Sequence, residues 1–122
     1  MSTSIYQPDF DPNALRRLEQ ALPHDHFIAF VEDYLASGAE RLTRAETVCA
    51  GGDLAELGAE AHQMVMATGS FGLRRASALA RQLAEACHAG QADDAQTLCV
   101  QLAASTRRVW SELREWFLGP SN

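Results

Sequence analysis

Residues 60–73 read EAHQMVMATGSFGL, and this stretch marks the boundary between two helices. Up to Gly69 the apolar residues recur at helical spacing, whereas residues 69–72, GSFG, break that spacing with two glycines. Glycine just after the last periodic residue is typical of a helix end. One helix therefore ends near Gly69 and the next begins near Leu73, and the first of the two carries a single histidine, His62.

Capping residues and prolines mark the ends of the other predicted helices. Asp11 and Pro12 suit the N-cap and the first position of a short helix, which Pro23 stops. Asp25 is expected to cap the second helix and Asp53 the third. The pattern predicts helices at about 11–22, 25–50, 53–68, 72–88 and 91–118.

The helix lengths and turns predict the fold class. No segment shows the period-two alternation of a strand, so no sheet is expected. Short turns join the four longer helices, and short turns favour antiparallel neighbours. We predict an all-α fold, an antiparallel up-down four-helix bundle with the short first helix as an N-terminal lid. The 122 residues suffice for one such domain, 1–122, and are too few for two.

Charge and composition exclude several classes of partner. The formal charge of −6 argues against nucleic acid and against an anionic membrane surface, since both attract clustered cations. The N-terminal stretch lacks a signal-peptide pattern, and no apolar run is long enough to span a membrane. The odd number of cysteines, three, within helical patterns suggests reduced core residues. We therefore expect a cytoplasmic protein, and we take it to be a monomer.

His62 is expected to lie at the rim of its helix. At about 100° per residue it falls roughly 110° from the centre of the apolar stripe, so its ring should be partly in water. Its helical neighbours would let another protein approach closely, because they are small or apolar and uncharged. They are Ala55, Gly58, Ala59, Val65, Met66 and Gly69. From periodicity alone, a histidine that merely shields apolar surface is the commoner interpretation.

The segment AHQMVMATGSFGLRRASALARQL, residues 61–83, resembles the histidine-containing phosphotransfer (HPt) domain family. The family's motif reads approximately A-H-x-L-K-G-x-x-x-x-x-G and precedes a helix with an L-x-x-L pattern. Ala61 and His62 match, Met64 replaces the leucine, and Gly72 matches the last glycine. The resemblance extends over most of the chain, and the order of the predicted helices agrees with it.

The resemblance implies that His62 accepts a phosphoryl group from a receiver-domain aspartyl-phosphate or a hybrid histidine kinase and passes it to a response regulator. A neutral imidazole offers a nucleophilic nitrogen near neutral pH, and phosphoryl transfer depends mainly on positioning and charge neutralisation. The receiver would supply Mg²⁺, so this chain is expected to hold no metal or cofactor. It would be a carrier without turnover of its own, and the six uncharged neighbours of His62 would be its docking surface.

Positions beside His62 depart from the family's motif. Val65 stands where the family has lysine, and Met66 stands where it has glycine. Ala84, next to Glu85, occupies the position of a ring-orienting Gln or Glu. The ten cations are all arginine, so only an arginine can neutralise the phosphate as the family's lysine does. The candidates are Arg74, Arg75 and Arg81.

Three alternatives remain open. A pseudo-HPt adaptor would dock on a receiver or a histidine kinase without carrying phosphate; the missing lysine and glycine favour it, and the retained histidine opposes it. A helical interaction domain without a signalling role would use Trp110 and Trp116 as interface anchors. A metal site would need a partner for the short motifs 24–26, HDH, or 85–88, EACH, and solvated surface is the preferred interpretation of both.

Overall fold

The computed structural model describes residues 10–69 and 71–119. The N-terminal residues without a signal-peptide pattern, and Ser70 of the GSFG turn, lie outside these ranges. Within them the chain forms only helices, which confirms the predicted all-α class, and none is long and apolar enough to span a bilayer. The five helices are α1 (Pro12–Ala21), α2 (His24–Gly51), α3 (Leu54–Gly69), α4 (Arg74–His88) and α5 (Ala92–Leu118).

Aspartate side chains cap two of the helices, as the sequence predicts. In α1 the Asn13 backbone N–H donates to Asp11 Oδ1 at 3.0 Å, and Pro12 occupies the first helical position. In α3 the Glu56 backbone N–H donates to Asp53 Oδ1 at 3.0 Å. Each carboxylate satisfies a donor that the first turn of a helix leaves without a partner, so these two helix starts follow from local chemistry.

The two ends of α2 differ in how well the sequence predicts them. The prediction that Asp25 caps α2 is wrong, because the N-cap position belongs to Pro23 and Asp25 lies inside the first turn. There its charge still faces the positive end of the helix dipole. At the other end Gly52 has a φ of 79°, a left-handed conformation that glycine adopts without steric cost.

Apolar side chains from all the helices meet in one core. The largest fully buried ones lie mostly on the apolar stripes of the helices and include Phe10, Leu15, Phe27, Val31, Leu42, Met64, Leu73, Leu83, Leu102, Val109 and Leu113. The three cysteines are free and buried, which confirms that they are core residues. The helical spacing of apolar residues in the second helix predicts Phe30 as a core residue, but Phe30 is 40% exposed and its ring lies against Phe71.

α3 packs most extensively against α4, and two glycines mark this contact. A Cβ added to Gly58 would lie 3.2 Å from the Cβ of Cys87, and one added to Gly69 would lie 3.8 Å from the hydroxyl of Ser77. The beginning of α3 therefore lies beside the end of α4, and the end of α3 beside the beginning of α4. This pairing decides which residues of α4 can reach His62.

The beginning of α1 is held against the α3–α4 turn and the end of α5. The Phe10 ring packs edge-on against Trp116, with 5.7 Å between centroids, and also contacts Phe117. A Cβ on Gly72, whose φ is 69°, would come within 2.5 Å of the Asp11 Cβ. Gly72 is therefore required both by its conformation and by the close approach of α1.

Candidate functional site

His62 lies in the middle of α3 with its side chain exposed. The buried residues of α3, which include Ala61 and Met64, face the other way, as the helical wheel predicts. Within the described ranges, no side chain or backbone group forms a hydrogen bond or an ion pair with the His62 ring. Both ring nitrogens are therefore available to a group that comes from outside the domain.

The predicted docking residues surround His62 on α3. Ala55, Ala59, Met66 and Gly69 are exposed and share the outward face with His62, and Met66 is 63% exposed. Gly58 and Val65 are half-buried and lie on the side that faces α4. The structure thus divides the six residues into an outward strip of four and an inward pair.

Two grooves between α3 and α4 meet at His62. The small-residue groove, of about 320 Å³, is lined by Leu54, Ala55, Gly58, His62, Ala84, Cys87 and His88. The charged groove, of about 350 Å³, is lined by His62, Val65, Arg81, Ala84, Glu85 and His88. A larger depression of about 460 Å³ lies between α4 and α5, but His62 does not line it. The grooves beside the exposed imidazole are therefore the better candidates for chemistry.

The three candidate arginines are not equivalent. Arg81 lines the charged groove with His62, and within the described residues it forms no ion pair. Arg74 and Arg75 line neither groove and lie in the first turn of α4. At 1.5 Å per residue they begin about 9 Å or more along the helix from Arg81. Of the three, only Arg81 shares a surface with His62.

Two of the departures from the family's motif, Val65 and Met66, fall on different surfaces. Val65 lines the charged groove, so an apolar side chain lies where the family's lysine would put a cation. Met66 lies on the outward strip, where a glycine would leave more room for a partner. The first substitution therefore changes the charge around His62, and the second changes the shape of the exposed face.

Two of the buried thiols, Cys87 and Cys99, do not compete with His62 as nucleophiles. Burial raises the pKa of Cys99 to about 12, with a smaller contribution from neighbouring Cys49, and burial also raises the pKa of Cys87. A thiol must ionise to react, and these two remain protonated at neutral pH. Across residues 10–69 and 71–119, no three His, Cys, Asp or Glu side chains are grouped so as to hold a metal ion.

Glu85 and His88 are neighbours of His62 that sequence reasoning did not assign to this site. Both line the charged groove, and His88 also lines the small-residue groove. Residues 81, 85 and 88 recur at helical spacing, which could have placed them on one face of α4. The sequence does not show that this face of α4 lies beside His62, because that placement depends on how Gly58 packs against Cys87.

Comparison with known proteins identifies the family. The sequence model described as "Hpt domain" matches residues 29–116, which include most of α2 and α5 and all of α3 and α4. No curated protein and no solved structure is significantly similar to the chain. Domains of this family are phosphotransfer carriers of two-component phosphorelays. Because the match covers well over half of its residues, the chain belongs to the Hpt domain family.

Proposed function

We propose that this protein carries a phosphoryl group on His62 between a receiver domain, or a hybrid histidine kinase, and a response regulator. The observation that carries the proposal is the exposed, unpaired His62 ring within the part of the chain that the family model matches. His88 also lines both grooves, but it lies in the last turn of α4 and outside the motif. His62 is therefore the proposed acceptor.

The proposed step exchanges one bond to phosphorus for another. The lone pair of a His62 ring nitrogen forms the N–P bond while the P–O bond to the receiver's aspartate breaks. The aspartate carboxylate leaves with the electron pair, and the proton on the other ring nitrogen stays on the imidazole. The reverse step regenerates neutral His62. The receiver is proposed to supply Mg²⁺, and this chain to supply the nucleophile, its position and a local cation.

The outward strip, together with Gly58 and Val65, is proposed to dock the receiver. Ala55, Ala59 and Gly69 have small or no side chains, so a partner's backbone can approach His62 closely. Met66 adds an adaptable apolar contact, which suits an interface better than a solvated face. The absence of charge on the strip lowers the desolvation cost of docking.

Arg81 is the proposed neutralising cation. A phosphoryl group on His62 would extend into or beside the charged groove, where Val65 provides no charge and Arg81 forms no competing ion pair. Guanidinium groups bind phosphate oxygens with two hydrogen bonds in a fixed geometry. The position of Arg74 and Arg75 in the first turn of α4 favours Arg81 over both.

The contacts between helices support the proposed topology. Tyr34 Oη donates to the Ala67 carbonyl at 3.3 Å, which pairs the first half of α2 with the end of α3. Gln96 Nε2 donates to the Cys49 carbonyl at 3.2 Å, which pairs the end of α2 with the beginning of α5. With the α3–α4 pairing, these contacts favour an antiparallel up-down bundle of α2–α5 with α1 as a lid. We further propose a cytoplasmic monomer without a bound cofactor.

Transfer from a phosphorylated receiver tests the carrier role. The protein should acquire acid-labile phosphate, and His62→Ala should abolish the labelling. His88→Ala is the matched control, because it removes the other histidine of the grooves, and it should retain labelling. No transfer to the wild type, or equal transfer to His62→Ala, would contradict the proposal.

Two charge substitutions at similarly exposed apolar residues test the docking surface. Met66→Glu should weaken receiver binding at least tenfold, because it buries a carboxylate at the interface. Val100→Glu on α5, at a position that is 69% exposed, should bind like the wild type. Helix content measured by circular dichroism should stay the same in both. Equal binding by the two variants would exclude the strip as the docking surface.

A pseudo-HPt adaptor is the second candidate, and Val65 is the observation that favours it. The apolar Val65 leaves α3 without the cation that the family's motif provides beside the histidine. An adaptor would bind a receiver through the outward strip and would not accept phosphate. Receiver binding that Met66→Glu abolishes, without labelling of His62 in the wild type, would select this function over the carrier role.

A further inference from the structure

The charged groove contains a carboxylate as well as a cation. Glu85 lies one helical turn beyond Arg81 on α4, and both side chains are exposed and line the groove with His62. Within the described residues neither forms an ion pair or a hydrogen bond. A carboxylate beside a proposed phosphate site is unexpected, because it opposes the charge that the site has to hold.

We infer that Glu85 opposes Arg81 and lowers the stability of phosphorylated His62, so that the phosphoryl group passes readily back to a receiver. This inference rests on the proposed carrier function. Before transfer, Arg81 and Glu85 stand at the i, i+4 spacing at which opposite charges attract. After transfer the phosphoryl oxygens attract Arg81 and repel Glu85. The two residues therefore act on the phosphorylated form with opposite signs.

The geometry separates this role from orientation of the ring. Ala84, not Glu85, occupies the position of the family's ring-orienting residue, and it lines both grooves. Neighbouring residues on a helix point about 100° apart, so Glu85 cannot take the direction of Ala84. No hydrogen bond joins Glu85 to the His62 ring in the described structure. The carboxylate thus acts at the groove through its charge.

The expected effects are moderate because the groups are exposed. In water a pair of unit charges a few ångströms apart changes an equilibrium by about three- to tenfold, and salt screens the interaction. A carrier has to release what it accepts, and an overly stable phosphorylated form would hold the group. A moderate opposing charge fits that requirement.

The partition of phosphate between this protein and a receiver, measured at equilibrium, tests the inference. Glu85→Gln should raise the phosphorylated fraction of His62 relative to the receiver by about three- to tenfold, and Arg81→Ala should lower it by a similar factor. Glu40→Gln is the control: it removes one exposed carboxylate on α2, outside the groove, and should have no effect. Both effects should shrink in about 1 M salt, which an effect on packing would not do.

Titration with inorganic phosphate, followed through the His62 ring resonances, tests the same charges without transfer. Glu85→Gln should tighten phosphate binding and Arg81→Ala should weaken it. If the wild type takes no phosphate from any receiver, the carrier role fails, and this titration still decides the role of Glu85. An unchanged or lower phosphate affinity in Glu85→Gln would overturn the inference, as would an unchanged or lower phosphorylated fraction.

Discussion

The α3–α4 contact and the α2–α5 contact both contain charged side chains and glycines, but these residues have different roles in the two contacts. Between α2 and α5, Arg107 donates two hydrogen bonds to Glu46, at 2.6 and 2.9 Å, and Gly38 lies directly against the Trp110 ring. Between α3 and α4, no ion pair forms among His62, Arg81, Glu85 and His88 within the described residues. Paired charges and a buried indole stabilise the first contact. At the second contact the unpaired side chains remain available to interact with a ligand or a partner.

The two contacts also use glycine differently. A Cβ on Gly38 would lie 2.6 Å from Trp110 Cζ2, well short of the van der Waals contact distance to a rigid ring. A Cβ on Gly58 would lie 3.2 Å from the Cys87 Cβ, a distance that a small shift of the helices can relieve. Gly38 thus makes room for a core side chain, whereas Gly58 mainly leaves a groove open beside His62. Four substitutions test this distinction.

Trp110→Ala should have the largest effect, a loss of about 3–5 kcal/mol in the free energy of unfolding, because it empties a buried volume beside Gly38 and Tyr34. His62→Ala should change the same quantity by less than about 0.5 kcal/mol, because His62 is exposed. Urea denaturation measures both. A loss below about 1 kcal/mol for Trp110→Ala would show that the α2–α5 contact is not the stabilising one.

Gly38→Ala should destabilise the protein by about 1–3 kcal/mol, because the indole cannot move without disturbing the core. Gly58→Ala should be near neutral, since the tight contact offsets a gain in helix propensity of at most about 1 kcal/mol. Gly51→Ala is the control for propensity, as a Cβ there meets nothing within 4 Å. Equal destabilisation by the first two variants in urea denaturation would remove the difference between the contacts.

Val65→Lys adds a cation to α3 within the charged groove. It tests whether positive charge beside His62 stabilises the phosphoryl group. The half-life of phosphate on His62 after removal of the donor should lengthen about fivefold, because the ammonium attracts the phosphoryl oxygens. Val100→Lys adds the same charge on α5, away from His62, and should leave the half-life unchanged. A shorter half-life in Val65→Lys would mean that the groove does not hold the phosphoryl group.

Glu46→Gln should lower the free energy of unfolding only slightly, by about 0.5–1 kcal/mol, because the ion pair with Arg107 is largely exposed. Its hydrogen bonds from Arg107 hold the pKa of Glu46 below the ordinary value of 4.5. The ion pair therefore stabilises the fold above about pH 4.5, and this stabilisation is lost as the pH falls through the lowered pKa. Unfolding in urea at pH 7 and pH 3 should show a difference from wild type only at pH 7.

Local chemistry explains why the helices could be predicted from the sequence. The caps at Asp11 and Asp53 and the left-handed glycine at Gly52 each act within one turn of chain. Apolar periodicity likewise placed most of the core residues and turned His62 away from the core. The pattern failed for Phe30, which is 40% exposed, because the neighbouring helices and not its own helix decide how much of a side chain is covered.

The amino-acid sequence is enough to predict the helices and the exposed face of α3, and it carries the resemblance that points to His62. It could not choose among Arg74, Arg75 and Arg81, nor bring Glu85 and His88 beside His62. Only the tertiary structure decided those neighbours, because the alignment of α3 against α4 depends on how Gly58 packs on Cys87 and Gly69 on Ser77. Such contacts join residues that are distant in sequence, and no local pattern of charge or hydrophobicity encodes them.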